Sequence, residues 1–430
     1  MISGIIIILI FLAFAGLMMT RRLPALLALP AMALSVGAVS GLFYAWPAGS
    51  PGFSAFIFDT ILTQGAVKLS QAIMFTVFGS VLSQVIIRAG IASRLIGLTA
   101  EYAGKHRMLL TLMLTVVTAV CFTSVTGLGA VIMIGTLILP ILIGSGLSPV
   151  FSCGLMLFAI SLGGVFNPAI LGFYMDVLQL PQETVQYYVV WYGGLLAVTT
   201  LVYMIAGGWR ERNNFCWAEI DPVPQKKVPA LSLITPIIPI ALILAGGVPI
   251  IPAFIAGILW GVLTAEPLKA VSNLTAAMLE GMKDAAPVLG LFIGLGMCLN
   301  AMTADPTKEV MAPLLAAVLP QQQWSFVLFF LVLAPLALYR GPLNMYGLGA
   351  GVAGIILGSS LLAPTAVMAA FFSVGQMQGV CDPTNTHNVW LAQFAKTSTE
   401  QLLKSTLPYV WGFVAAALVW SVYFAGALHA

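Results

Sequence analysis

Four short stretches carry most of the polar side chains that interrupt an otherwise apolar sequence. The first, CFTSVTGLG at 121–129, offers hydroxyls from Thr123, Ser124 and Thr126, and Gly127 and Gly129 let the backbone turn and let a ligand approach it. The second, SLGGVFNPAI at 161–170, cannot continue an ordinary helix, because Pro168 lacks a donor and disfavours helix at Asn167. Backbone carbonyls freed beside Gly164, together with the Asn167 amide, suit a cation. The third, YRGPLNMYGLG at 339–349, places Arg340 between long apolar runs. Within a bilayer such a charge costs at least about 2.5–3.5 kcal/mol, so it should face a cavity or a partner. Its planar fork matches a carboxylate, and contact with an anionic ligand is the reading adopted. An interfacial, snorkelled guanidinium and an ion pair with Asp382 are the two alternatives. The fourth, GVCDPTNTHNVW at 379–390, crowds Asp382, Thr384, Asn385, Thr386, His387 and Asn388 around Pro383. Asp382 and His387 are titratable and could carry a proton. One carboxylate among hydroxyl and carbonyl oxygens would equally suit Na+.

The elements that hold these stretches must be membrane helices. The chain has 430 residues, 60% hydrophobic and only 7% charged, too few charges to cover a surface in water. A span needs about 20 apolar residues. Counting such runs gives segments at 3–19, 23–46, 68–87, 108–144 (a pair), 150–178, 185–208, 231–246, 250–265, 285–302, 324–362 (a pair), 364–394 and 407–427. With Arg21 and Arg22 in the cytoplasm, 13 of the 17 Lys and Arg fall on that side, the exceptions being Lys68, Lys283, Lys308 and Arg340. The count holds only if 108–144 and 324–362 each enter and leave on one face, the first opening to the cytoplasm and the second outside. Both termini then lie outside.

A repeat accounts for the two pairs. TGLGAVIMIGTLILPIL at 126–142 resembles YGLGAGVAGIILGSSLL at 346–362. GGVFNPAILGF at 163–173 is answered by QGVCDPTNTHNVW at 378–390, and 66–86 lies over 281–301. The fold expected is an all-α polytopic membrane protein of about 11 transmembrane segments in two inverted-topology repeats. Residues 1–206 form the first repeat, with hairpin 108–144 and broken helix 150–178; 207–230 is a cytoplasmic linker; 231–430 form the second, with hairpin 324–362 and broken helix 364–394. Backbone groups freed by such breaks persist in lipid only where they line a site. Five cysteines (Cys121, Cys153, Cys216, Cys298, Cys381) have neither metal nor disulfide spacing. Asp176 and Asp284 lie toward segment ends and read as interfacial, and Trp191, Trp217, Trp260, Trp324 and Trp411 fit aromatic belts. No nucleotide-binding loop, HExxH motif or nucleophile–base pair is present in the sequence, so no enzyme is expected, and nothing points to nucleic acid.

This layout resembles the ion transporter superfamily, which includes divalent-anion/sodium symporters, CitMHS-type citrate transporters and GntP-type gluconate–proton symporters. The resemblance lies in architecture over nearly the whole chain and is weak in literal motif. It implies that each hairpin tip and its broken helix form one site, with substrate between the tips. Carried over, the substrate set is Ser124, Thr126, Gly127, Arg340, Gly341, Asn344, Thr384 and Asn385. The coupling-ion set is Gly164, Asn167, Asp382, Thr386 and His387, with Na+ at Asn167 and Asp382 as the metal option. The superfamily's sodium symporters carry Ser-Asn-Thr at both tips, whereas this chain has Ser124-Val125-Thr126 and Arg340-Gly341-Pro342, a departure that makes a proton plausible. The expectation is a secondary transporter of the bacterial-type cytoplasmic (inner) membrane for a small organic anion, a carboxylate or sugar acid, coupled to H+ or Na+ without a cofactor. Segments 1–2 and 231–265 would be its scaffold, membrane lipid its surroundings and a homodimer its assembly. The rival expectation is a cation/proton antiporter with Asp382 as the exchanging carboxylate.

Overall fold

In hydrocarbon a backbone finds its hydrogen-bond partners within its own helix, and the apolar runs of this chain fold accordingly. The computed structural model describes residues 2–20, 22–50, 52–104, 106–211 and 227–428. Arg21, Lys105, Arg212, Cys216, Trp217, Lys226 and His429, with most of the expected linker, lie outside the described residues. The described residues are helices and connecting turns, with no strand among them.

The first half runs α1 (Ile2–Met19), α2 (Ala25–Leu42), α3 (Gly52–Arg88, with a turn at 68–69), α4 (Ile91–Ala103), α5 (Arg107–Phe122), α6 (Leu128–Gly144), α7 (Pro149–Val165), α8 (Pro168–Leu178) and α9 (Gln182–Arg210). The second runs α10 (Ala230–Gly246), α11 (Ile250–Ala265), α12 (Pro267–Thr303), α13 (Asp305–Ala316), α14 (Gln323–Arg340), α15 (Leu348–Ser359), α16 (Pro364–Cys381), α17 (Thr386–Phe394) and α18 (Thr399–Tyr423). Both halves follow one order. A shift of 215 carries α3 onto α12 end to end, the start of α7 onto the start of α16 and the end of α6 onto the end of α15.

The long helices α3 and α12 pack against each other in opposite directions. A Cβ on Gly65 would lie 2.7 Å from Met297 Cα, and one on Gly281 would lie 2.8 Å from Val81 Cα. Rising numbers on one helix meet falling numbers on the other, and the two contacts exchange within one residue under the same shift. Glycine is required at both because the backbones approach too closely for any side chain. This antiparallel pairing of equivalent helices gives the two halves their opposite orientation.

Around this pair the molecule presents hydrocarbon outward. On α9, Val190, Val198, Leu201, Val202 and Ile205 are exposed, as a lipid-facing helix requires. Trp191, Trp260, Trp324 and Trp411 are exposed too. Among the described residues seven helices are long and apolar enough to cross a membrane, and α7–α8 is a further pair bent by 58° at its break. The arms of the first hairpin, α5 and α6, have 16 and 17 residues. At 1.5 Å per residue each reaches about 25 Å, short of a hydrocarbon core of roughly 30 Å. Asp176, near the end of α8, is buried, and its Oδ2 accepts the Ala72 N–H (3.0 Å) just past the turn in α3. Cys121, Cys153, Cys298 and Cys381 are buried free thiols.

Candidate functional site

The ends of α5, α7, α14 and α16 and the beginnings of their partners converge, and two cavities lie against the resulting breaks. One opening, on the pseudo-symmetric core and of about 360 Å³, is bounded by the first hairpin tip, both broken helices and parts of α3 and α12. Six of the thirteen residues expected from the sequence line it: Thr126, Gly127, Gly164, Asn167, Asn385 and His387. A second cavity, of about 500 Å³, lies between the α1–α2 junction, the start of α6 and one face of α17. It takes Arg340, Thr384 and Thr386. Consecutive residues of the second break therefore face alternate cavities: Thr384 and Thr386 one, Asn385 and His387 the other.

The remaining four line neither cavity and are engaged in building the breaks. Ser124 is fully buried, and its hydroxyl donates to the Pro236 carbonyl (2.5 Å), to which Thr123 Oγ1 also donates (2.9 Å). That carbonyl is open because Pro239, three residues on, has no N–H to close a 3-10 turn. Gly341 is buried where a Cβ would lie 2.0 Å from the Leu336 carbonyl oxygen. Asn344 Oδ1 accepts the Tyr346 N–H (3.0 Å), a local turn that presents Met345 and Tyr346 to the central cavity.

Asp382 is the fourth. Its carboxylate is fully buried and accepts four hydrogen bonds: from the Tyr339 N–H (3.0 Å), the Arg340 N–H (3.3 Å), the Thr384 N–H (2.8 Å) and the Thr384 hydroxyl (2.8 Å). Its equivalent under the shift of 215 is Asn167, which ties the other break to the other tip with opposite polarity. The Asn167 amide donates to the carbonyls of Phe122 (3.1 Å) and Val125 (3.5 Å), while its Oδ1 accepts the Ala169 N–H (3.0 Å). The first tip exposes carbonyls and needs a donor; the second exposes N–H groups and needs an acceptor. The Asn167 amide, read from the sequence as a cation ligand, is thus engaged by the first tip, and the Gly164 carbonyl beside it accepts the Asn167 N–H (3.0 Å). Among the described residues no group of three or more His, Cys, Asp or Glu is placed to hold a metal ion.

The central cavity also contains residues that belong to no motif. Ser161 on α7 donates to Gln376 Oε1 on α16 (2.5 Å), and the two are separated by 215 residues. Equivalent residues that touch lie on the pseudo-two-fold axis, so the axis passes through the cavity wall. Gly164 and Gly379, also equivalent, both line it. The relation was available from the repeat offset. Thr76 and Ser80 of α3 contribute one turn apart, and Asp284, Val288 and Phe292 of α12 contribute at spacings of four. Asp284 accepts a hydrogen bond from Gln84 Nε2 (2.6 Å), joining α12 to α3 at the cavity's edge rather than standing at a segment end. The apolar wall includes a three-ring stack. Phe173 lies between Phe292 (4.9 Å) and Tyr346 (4.8 Å), and those two reach the cavity. Ser80, Thr126, Gln378 and the His387 ring have no side-chain hydrogen bond to another described residue, which leaves four polar groups from four elements free for a ligand.

No family model matches the chain, and no curated protein matches it in sequence. Solved structures do match. The YdaH transporter of Alcanivorax borkumensis superposes with a TM-score of 0.67 at 16% identity, covering 94% of this chain and 98% of that one. MtrF of Neisseria gonorrhoeae, from a class of antimetabolite efflux pumps, superposes at 0.57 and 15%, covering 92% of each chain. At these identities the likeness is one of fold: the chain is a multi-pass, all-helical membrane protein with the architecture of known transporters.

Proposed function

We propose that this protein is a secondary transporter that moves a small organic anion, a carboxylate or sugar acid such as citrate, gluconate or a C4-dicarboxylate, by alternating access. The observation that carries the reading is the central cavity on the pseudo-two-fold axis, walled by both broken helices and a hairpin tip. Three helices, α6, α8 and α17, begin at its wall, at Gly127, Asn167 and Asn385. Helix beginnings carry partial positive charge, which favours an anion without a buried cation. The aromatic and aliphatic wall suits the carbon body of such a solute. The antimetabolite efflux attributed to MtrF adds export to the directions such a cavity could serve.

H+ is the favoured coupling ion over Na+, since the polar groups of Asn167 and Asp382 are already engaged by the backbone. His387 and Asp284 are the titratable His and Asp side chains on the central wall. The same engagement counts against an antiporter that exchanges cations at Asp382. In this reading the two repeats are residues 1–206 and 231–430, oriented with both termini outside the cytoplasmic membrane, and the protein works as a homodimer.

The test is purified protein in liposomes with an imposed pH gradient, following labelled citrate, gluconate, C4-dicarboxylates and lactate for the native chain and for Asn385→Ala. Accumulation of one acid that the substitution abolishes supports the reading. Proton flux released by Na+ or K+, with no acid moved, replaces it with the antiporter.

A further inference from the structure

The second cavity carries a feature that the central cavity lacks. Among the described residues that line it, Arg340 is the one charged side chain and none is acidic. Among the described residues the guanidinium takes part in no ion pair. Asp382, its partner in the alternative reading, meets only its backbone N–H (3.3 Å). Across the cavity, Thr386, Val389, Trp390 and Gln393 occupy one face of α17 at spacings of three and four. The Thr386 hydroxyl, the Trp390 indole N–H and the Gln393 amide have no hydrogen-bond partner among the described residues. Residues that carry a guanidinium, an indole N–H, an amide and a hydroxyl thus line one space, with no carboxylate among the described ones, a donor-rich set that complements an oxyanion.

The backbone holds this arrangement at a cost. Tyr339 and Arg340 have φ of 56° and 57°, in the left-handed region. Non-glycine residues adopt it at about 1–2 kcal/mol each, and keep it where the surroundings hold them there. The surroundings here are the Asp382 carboxylate, which accepts both N–H groups.

We infer that the second cavity is an oxyanion-binding site distinct from the central one, with Arg340 as its hook and Asp382 as the positioning residue that fixes the Arg340 backbone. The inference rests on the anion-transport reading for its place in a cycle, a station that a carboxylate occupies on the far side of the break from the central cavity. The site's existence does not depend on that reading. Carboxylate, sulfate and lipid phosphate share the chemistry that the site recognises.

The experiment labels the full chain with 5-fluorotryptophan in phosphatidylcholine nanodiscs and follows it by 19F NMR. The chain has nine tryptophans, and Trp390→Phe assigns the resonance of interest. Citrate or sulfate should shift that resonance saturably and leave the others in place, which also reports an intact fold in each variant. Arg340→Gln should weaken the response by about tenfold or more, the loss of a charged hydrogen bond. Arg340→Lys should recover part of it. Asp382→Asn should weaken it with Arg340 still present, whereas a merely structural role would move all the resonances together. A shift that needs added citrate or sulfate assigns the oxyanion to a solute. One already present in discs containing phosphatidylglycerol assigns it to a lipid phosphate. No shift under any condition, or an equal shift in Arg340→Gln, overturns the site. Because the readout is binding, loss of acid uptake with the shift retained removes the transport reading and leaves the site standing. Uptake without the shift does the reverse.

Discussion

Asp382→Ala perturbs a side chain that joins the second break to the second tip by two backbone hydrogen bonds. The variant strips the acceptor from the Tyr339 and Arg340 N–H groups. Hydrogen bonds to a charged acceptor contribute about 1.5–3 kcal/mol each, so the tip loses roughly 3–6 kcal/mol of docking. Burying the carboxylate costs several kcal/mol, which the alanine no longer incurs, and this offsets part of the loss. The expected net fall in the free energy of local opening is about 2–4 kcal/mol, or roughly 30- to 700-fold faster amide exchange at the tip. Hydrogen–deuterium exchange over 334–348 reads it directly, with the first tip at 122–128 as an internal control, since Asn167 holds that tip independently. Asp382→Asn keeps one acceptor oxygen and should give a smaller increase. Unchanged exchange at 339–340 in the alanine variant, with both tips behaving alike, would refute the claim that this carboxylate holds the hairpin.

Three further outcomes follow from single contacts. Gly163→Ala places a Cβ 2.3 Å from the Ala119 carbonyl oxygen and 2.7 Å from Phe122 Cβ; overpacking against backbone costs about 1–3 kcal/mol, and the detergent-purified variant should melt at a lower temperature than the native chain. Asn167→Leu conserves bulk but leaves the Phe122 and Val125 carbonyls without their donor; at about 1–3 kcal/mol per unsatisfied group, the variant should lose thermal stability and transport together, and a variant as stable as the native chain contradicts the assignment. Gln376→Ala breaks the Ser161 contact on the pseudo-two-fold axis; one hydrogen bond contributes only about 0.5–1.5 kcal/mol, so the fold should survive while the apparent KM for the transported acid rises, and an unchanged KM removes Gln376 from the substrate's contacts.

Much of the architecture is legible in the sequence because it depends on local rules. Apolar run length sets where helices lie, and at Gly127, Asn167-Pro168, Arg340-Gly341-Pro342 and Asp382-Pro383 glycine and proline act on their own backbone to interrupt them. The four breaks accordingly fall between α5 and α6, α7 and α8, α14 and α15, and α16 and α17. The repeat was also visible, because related halves keep glycine and proline where helices cross and stop. The sequence did not determine which way each polar side chain faces. Thr384 and Thr386 separate from Asn385 and His387 only because the break runs between two cavities. Ser124 turns away from any ligand because a carbonyl over a hundred residues distant, opened by Pro239, takes its hydroxyl. Asp382 and Asn167 look like ion ligands in isolation, yet each answers the unpaired backbone groups of the tip it meets, and those groups are known only once the chain has folded. Ser161 and Gln376 carry no motif at all, and their meeting on the axis is decided by packing between the two halves. The sequence by itself therefore determined the helices, their interruptions and the repeat, which follow from short-range chemistry. The tertiary structure alone decided which polar groups remain free for a ligand, because that depends on what distant backbone leaves unpaired.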